Sequence, residues 1–274
     1  MPAGDQRHLG AHPTEEGVNF AIWAAAASKV ELCFFDQDNG KLIESRHELI
    51  DRNGPIFHGY FPGIKIGQRY GYRIDGEWNP ARGWRFNSNK VLIDPYAHLL
   101  SGDLKYVPEI YSHVASDGVG TGNTIIKDQR DNAAFVPHSV VTENIKSDGV
   151  RLRTPWSKTI IYEAHVRGLT EFNMEIAPNE RGTYKALAHP SVISYLKNLG
   201  VTALELQPIH QFITEPVIAA RGRQNYWGYN PIAFSAPHRA YAATDDPVRE
   251  LRDAVSTLHE NGIEVILDVV YNHT

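Results

Sequence analysis

Apolar and polar positions alternate in short runs from about Gly10 to Asp94, and hardly a segment there keeps a helical period. The runs Val18 to Trp23, Val30 to Phe35 and Arg69 to Ile74 predict strands. Asp38-Asn39-Gly40 predicts a hairpin turn, because Asn and Gly tolerate positive φ, and Asp75-Gly76 predicts another turn. Residues 1–100 are therefore expected to form a small all-β, immunoglobulin-like sandwich. Over residues 101–156 the pattern weakens into polar, turn-rich sequence, which reads as a connecting segment. Its stretch Ser116 to Gly122 has no apolar strand before it and no amphipathic helix after it, so it reads as a flexible loop rather than a phosphate cradle.

After Trp156 strand and helix alternate. The β-branched run Thr159-Ile160-Ile161-Tyr162, continuing to His165-Val166, predicts a first strand. Val192, Tyr195, Leu196 and Leu199 fall at i, i+3, i+4 and i+7, a helical stripe that Gly200 can close in a left-handed cap. Val201 to Leu206 predicts a second strand, and a loop of about 35 residues follows, far longer than compact domains favour and so a candidate for function. Asp246-Pro247 starts a helix with the stripe Leu251, Ala254, Val255 and Leu258, Asn261-Gly262 stops it, and Glu264 to Val270 predicts a third strand. Such alternation implies parallel pairing, in either a doubly wound sheet or a (β/α)8 barrel.

A hydrophobic content of 42% suits a globular core, and a net charge of -5 offers no basic face for nucleic acid, so a neutral ligand fits better. The single cysteine, Cys33, sits in an apolar run and reads as a buried thiol, which excludes a disulfide framework. No uncharged apolar run approaches the ~18 residues of a membrane span, and Met1 to Arg7 lacks the apolar core of a signal peptide, so the expected location is cytoplasmic. No cofactor and no metal are expected: Asp36-Gln37-Asp38-Asn39-Gly40 misses the calcium-loop spacing by one residue.

Three stretches carry chemistry, all at or just past the carboxyl ends of predicted strands, where α/β barrels build their sites. They are Ile161-Tyr162-Glu163-Ala164-His165-Val166-Arg167-Gly168-Leu169-Thr170, Asn225-Tyr226-Trp227-Gly228-Tyr229-Asn230-Pro231 in the long loop, and Asp268-Val269-Val270-Tyr271-Asn272-His273. Together they resemble the α-amylase superfamily, glycoside hydrolase family 13, and this resemblance implies the (β/α)8 barrel. It further implies that Tyr229 is a stacking platform beneath a sugar, that His273 contacts that sugar, and that Asp268 and Asn272 organise the site by hydrogen bonding. A sugar ring has an apolar C–H face and a rim of hydroxyls, so an aromatic floor among polar side chains suits it. Trp227 reads as packing. An acid such as Asp268 in an apolar strand needs donors or a charge partner, for which Arg167 is a candidate. Glu163 and Glu205 have the same structural reading, and neither is assigned as an acid catalyst.

Asp131-Asn132-Ala133-Ala134, Arg181 to Leu187 and Asn225 to Pro231 narrow the resemblance to bacterial glycogen debranching enzymes of the isoamylase type. In such enzymes a starch-binding-type β-sandwich precedes the barrel, which Gly10-Ala11-His12 through Phe20, Trp78-Asn79-Pro80 and Lys90 to Pro95 resemble. Trp23, Trp78 and Trp84 are candidate glucan platforms there, with packing the favoured reading for each. The resemblance implies a retaining hydrolysis of α-1,6 branch linkages, with glycogen or another α-glucan as partner and no nucleic acid or membrane. That chemistry needs a pair of carboxyl groups. The family takes them from later strands, so the nucleophile and the acid/base are expected beyond Thr274, with residues 157–274 an incomplete barrel truncated after strand three. The 274 residues by themselves are expected to be inactive, with an unstable barrel portion. The alternatives are a branching enzyme, a trehalose-releasing hydrolase, a non-catalytic glucan-binding fragment, or a remnant without function.

Overall fold

The computed structural model describes residues 4–144 and 151–271. The chain divides into two compact units, one made of residues 1–144 and 214–224, the other of residues 145–213 and 225–274.

In the first unit, β1 (Gly10–Pro13) and β2 (Gly17–Trp23) belong to one antiparallel sheet, and β3 (Ala27–Asp38) and β4 (Lys41–Glu48) to a second. β5 (Asp51–Asn53) and β6 (Ile56–Pro62) complete the first sheet in the order β1-β2-β6-β5, and β7 (Arg69–Gly76) pairs with β3. The predicted hairpin forms: Asp38 pairs with Lys41, and Asn39 and Gly40 turn the chain at φ 49° and 79°. Val18, Phe20 and Ile22 meet Val30, Leu32, Phe34, Tyr70 and Tyr72 in the core, with Phe20 edge-on to Tyr70 at 5.0 Å and to Phe34 at 5.6 Å. Burying these aromatic faces is the main apolar contribution to the sandwich.

Residues 101–144, expected as a connector, are part of this unit. After the short ribbon β8 (Trp78–Asn79) and β9 (Trp84–Arg85) come β10 (Leu100–Ser101), β11 (His113–Ala115), β12 (Gly122–Lys127) and β13 (His138–Val140). β13 lies between β10 and β7, giving a five-stranded sheet in the order β10-β13-β7-β3-β4. β10, β11 and β13, of two or three residues each, are too short to show a period, and β12 is exposed along most of its six residues, so no buried face marks it. Of Ser116 to Gly122, residues Ser116 to Thr121 are the turn of the β11–β12 hairpin and Gly122 opens β12, and in the turn Asp117 Oδ1 accepts from the N–H groups of Val119 (3.1 Å) and Thr121 (2.9 Å). Residues 145–150, at the end of the expected connector, lie outside the described residues.

Charge is also buried in this unit. The fully buried Arg73 donates from Nε to Glu44 at 2.6 Å and from Nη2 to Asp131 at 2.8 Å. Burial alone would raise the Glu44 carboxyl, but hydrogen bonds from Arg73 and Arg46 outweigh it and bring the group down to about 2. Asn132 Oδ1 accepts from Val91 N–H at 2.6 Å and its Nδ2 donates to Val91 C=O at 3.2 Å, so the Asp131-Asn132 pair ties residues before β10 to the sheet. Asp94 is wholly buried, accepts from Tyr70 Oη and Tyr96 N–H at 2.8 Å each, and is pushed up to about 6 by burial.

The second unit contains three parallel strands. β14 (Ile161–Ala164) is followed by α1 (Val166–Thr170), α2 (Tyr184–Leu187) and α3 (Pro190–Asn198), and then by β15 (Ala203–Leu206). The predicted first strand thus stops two residues early, because the His165 side chain turns back to cap α1. Gly200 ends the α3 segment at φ +76°, as its pattern requires. The long loop holds a two-stranded antiparallel pair, β16 (His210–Phe212) and β17 (Pro231–Pro237), while its α4 (Pro216–Ala219) falls within the first unit. α5 (Pro247–Glu260) begins where Asp246 Oδ1 accepts from Arg249 N–H at 3.0 Å, and it leads to β18 (Glu264–Leu267). The sheet order is β14-β15-β18, in step throughout: Ala164 pairs with Leu206, and Leu206 with Leu267. Ala164, Leu204 and Leu206 pack against Tyr184, Leu187, Leu196 and Leu258, so helices cover one face of the sheet. Glu163 and Glu205 sit side by side in the register at the positions that alternate to the other face.

Candidate functional site

Parallel strands deliver their following residues to one edge, and two of these, His165 after β14 and Asp268 after β18, meet the long loop there. Gln207 N–H donates to Ala164 C=O and Asp268 N–H to Leu206 C=O, each extending the ladder by one bond. Tyr229 Oη donates to Asp268 Oδ2, across 39 positions of sequence. That bond, then burial, then the negative charges of Asp268, Glu163 and Glu205 push the phenol up to about 12, so it stays protonated and remains a donor. Gln207 Nε2 donates to Glu163 Oε1 at 3.0 Å, and the amide's other end, Oε1, is buried with no partner among the described residues.

The loop bearing Tyr229 is fixed at several points. Asn225 Oδ1 accepts from Gly228 N–H at 3.0 Å. Gly228 lies at φ +84°, and a Cβ there would come within 3.0 Å of Pro208 C=O and 3.1 Å of the Phe212 ring, so glycine alone fits without strain. Ile213 N–H donates to Asn230 C=O at 3.1 Å. His165 stacks on Tyr226 at 4.1 Å and 9°, and its Nε2 is 2.8 Å from Tyr226 C=O. Tyr241 Oη is 2.9 Å from the same nitrogen.

Of the residues singled out from the sequence, Tyr229 and Asp268 are brought together. Arg167 is not the partner of Asp268: its Nη2 donates to Ala240 C=O at 3.2 Å and its guanidinium lies 6.0 Å from the Tyr241 ring centre. A hydroxyl donor satisfies the carboxylate without bringing in a second charge. Asn272 and His273 lie outside the described residues. Trp227, read as packing, is 56% exposed and touches Tyr226 edge-on at 5.6 Å. In the sandwich Trp78 Nε1 donates to Ile125 C=O at 2.7 Å and Trp84 stacks on Phe86 at 6.1 Å, both packing roles, while Trp23 is 60% exposed. His165, Tyr226, Tyr241 and Gln207 escaped the sequence reading. The one usable signal was His165 directly before Val166-Arg167-Gly168, a polar residue placed to cap, and histidine is an uncommon cap. Among the described residues no three His, Cys, Asp or Glu side chains converge to hold a metal ion, and no helix is long and apolar enough to cross a membrane.

A β-sandwich followed by parallel β/α units with an aromatic-and-acid edge has counterparts among known families. Residues 8–97 match the family model of carbohydrate-binding module 48, the isoamylase N-terminal domain, and residues 175–274 match the alpha amylase catalytic domain. The fold is thus a module-48 sandwich followed by the start of an α-amylase-type (β/α)8 barrel. Among solved structures, pullulanase from Anoxybacillus sp. LM18-11 complexed with maltotetraose is 24% identical with a TM-score of 0.67, over 99% of this chain and 36% of that one. Pullulanase from Bacillus acidopullulyticus is 23% identical with a TM-score of 0.67, over 100% and 31%. The catalytic module of the multi-modular glycogen-degrading pneumococcal virulence factor SpuA is 21% identical with a TM-score of 0.68, over 99% and 38%. At this identity the likeness speaks for the fold, and the chain spans about a third of each of these proteins.

Proposed function

We propose that the chain serves an α-glucan-processing glycoside hydrolase of the debranching kind, and that the edge built by Tyr229 and Asp268 holds a glucosyl unit. The observation that carries this reading is the Tyr229–Asp268 bond at the carboxyl ends of parallel strands, on a loop whose backbone is fixed on both sides of Tyr229. A phenol held by its hydroxyl keeps its ring in one plane, which is what stacking on a sugar's C–H face demands. The reaction we favour is hydrolysis of α-1,6 branch linkages in glycogen or limit dextrin with retention of configuration. Structural neighbours described as pullulanases with bound maltotetraose, and one described as glycogen-degrading, support that substrate class. To this chain we assign sugar-holding roles for Tyr229, Asn272 and His273 and an organising role for Asp268. The nucleophilic attack and the proton transfer are assigned to none of its residues.

In an enzyme carrying the whole barrel, Tyr229→Ala should lower turnover of branched glucan by the loss of an apolar floor worth roughly 1–3 kcal/mol, with folding nearly intact. Unchanged turnover at unchanged stability would remove Tyr229 from the site. A second reading, glucan binding by the sandwich, is favoured by the exposed Trp23. Retention of the chain on immobilised glycogen that Trp23→Ala abolishes and Tyr229→Ala spares would select it.

A further inference from the structure

We propose that His165 is the positioning residue of the sugar platform, tying the loop 225–229 to the carboxyl end of β14 and thereby setting where Tyr229 stands. This rests on the reading of Tyr229 as a platform. Both ends of the imidazole are committed. Nδ1 lies 3.1 Å from the backbone N–H groups of Arg167 and Gly168, and since both are donors, Nδ1 must be bare. The ring proton is therefore on Nε2, which faces Tyr226 C=O at 2.8 Å, a group that can only accept. Tyr241 Oη, 2.9 Å from Nε2, donates to the same carbonyl at 3.4 Å. The chain thus selects one neutral tautomer and uses it as a bridge from α1 to the loop.

The faces are committed as well. The Tyr226 ring lies parallel to the imidazole at 4.1 Å, and its hydroxyl occupies the space above Gly168, where a Cβ would come within 2.9 Å. Tyr226 precedes Tyr229 by three residues, with the Asn225–Gly228 bond between them. A shift of Tyr226 is consequently passed on to Tyr229. Protonating His165 would place a hydrogen on Nδ1 facing two N–H donors and break the bridge at its α1 end. Burial disfavours that proton, the Tyr226 carbonyl favours it, and the nearby positive charge of Arg167 disfavours it further. Of the other groups around it, burial pushes the Tyr241 phenol up to about 12 and His238 down to about 3, so both are uncharged at pH 7.

Two substitutions divide the imidazole. His165→Asn keeps a short acceptor for the α1 cap and loses the reach to Tyr226, whereas His165→Gln places an amide donor where Nε2 stood. The 274-residue chain would be prepared with tyrosine labelled at Cζ, and Tyr229→Phe would assign the Tyr229 carbon signal. With His165→Gln, that signal should keep the position of a phenol bonded to carboxylate. With His165→Asn it should move towards free tyrosine, and the maltoheptaose Kd read at that same signal should rise about 10-fold, against less than about 2-fold for His165→Gln. Melting temperatures measured in parallel expose a merely structural role. If both variants leave the Tyr229 signal in place, or move it equally in proportion to lost stability, the positioning role is overturned. A signal that moves in His165→Asn with no change in maltoheptaose Kd would refute the platform and leave the positioning intact. Should neither variant fold, the native chain decides: its imidazole nitrogen shifts must report the Nε2–H tautomer, and acidification must move the Tyr229 signal together with His165 protonation. A Tyr229 signal indifferent to that protonation would sink the proposal.

Discussion

Arg73 and Lys90 lie wholly inside the first unit with carboxylates beside them, whereas the buried polar groups of the second include His165, His210, Tyr184 and Tyr241, rings uncharged at neutral pH. Glu250 is the buried charge among the described residues of the second unit, and it is satisfied by N–H groups of Lys185, Ala243 and Thr244. The contrast separates two uses of buried polarity. Paired ions fix the sandwich in one arrangement, and losing one partner leaves the other stranded. Neutral rings that each donate or accept along a chain can orient a loop, but only in one protonation state.

The strongest way to break the contrast is Arg73→Met. With Glu44 and Asp131 stripped of their buried partner and left to the half-exposed Arg46, the first unit should lose about 3 kcal/mol, read as a lower urea midpoint for its amides in hydrogen exchange, with the second unit unmoved. Equal loss in both units would mean that they do not unfold separately.

Acidification should do the reverse. Burial pushes His238 down to about 3, and His165 and His210 are lowered for the same reason. Below about 6.5 the unfolded histidines take up protons that the folded ones refuse, so stability is full above that pH and falls as pH drops towards the folded values. From pH 6.5 to 5, His238 alone removes about 2 kcal/mol from the second unit. In the first unit burial lowers His138 to about 4, which acts likewise. Asp94, raised to about 6, acts oppositely: its contribution is complete below the unfolded value and is lost as pH rises through about 6. Asp94 offsets much of the His138 loss, while His98, also lowered by burial, adds to that loss, so hydrogen exchange at pH 5 should loosen the second unit more than the first.

Smaller effects sharpen the same division. Asp246→Ala removes the α5 cap and should cost the second unit about 1 kcal/mol in urea denaturation. Gly40→Ala meets no atom within 4 Å, so its effect is backbone strain alone at φ +79°, about 1 kcal/mol and confined to the first unit.

Much of both folds was readable where a period or a turn had room to repeat. The β3–β4 hairpin, the α3 and α5 stripes and the three parallel strands follow from spacing. β10 and β13 did not, being two and three residues long. The pair β16–β17 was hidden because its register shifts twice between His210 and Phe212, which erases alternation. In the site, motif and strand end pointed to Tyr229 and Asp268, but their bond joins a loop to a strand 39 residues away, and no local spacing encodes it. Arg167, a cation just past the end of the first strand, was the natural choice of partner, yet it is engaged by Ala240. His165 was missed because its role is to link two backbones, a property of the tautomer and not of the residue type.

Cys33 is the single cysteine of the chain, wholly buried, and burial raises its thiol to about 12. At neutral pH it therefore offers essentially no thiolate to an alkylating reagent. A cysteine introduced at an exposed position such as Trp227 or Trp23 would be the one group a maleimide dye finds, so spectroscopic reporters can be placed on either unit in turn without first removing a native thiol.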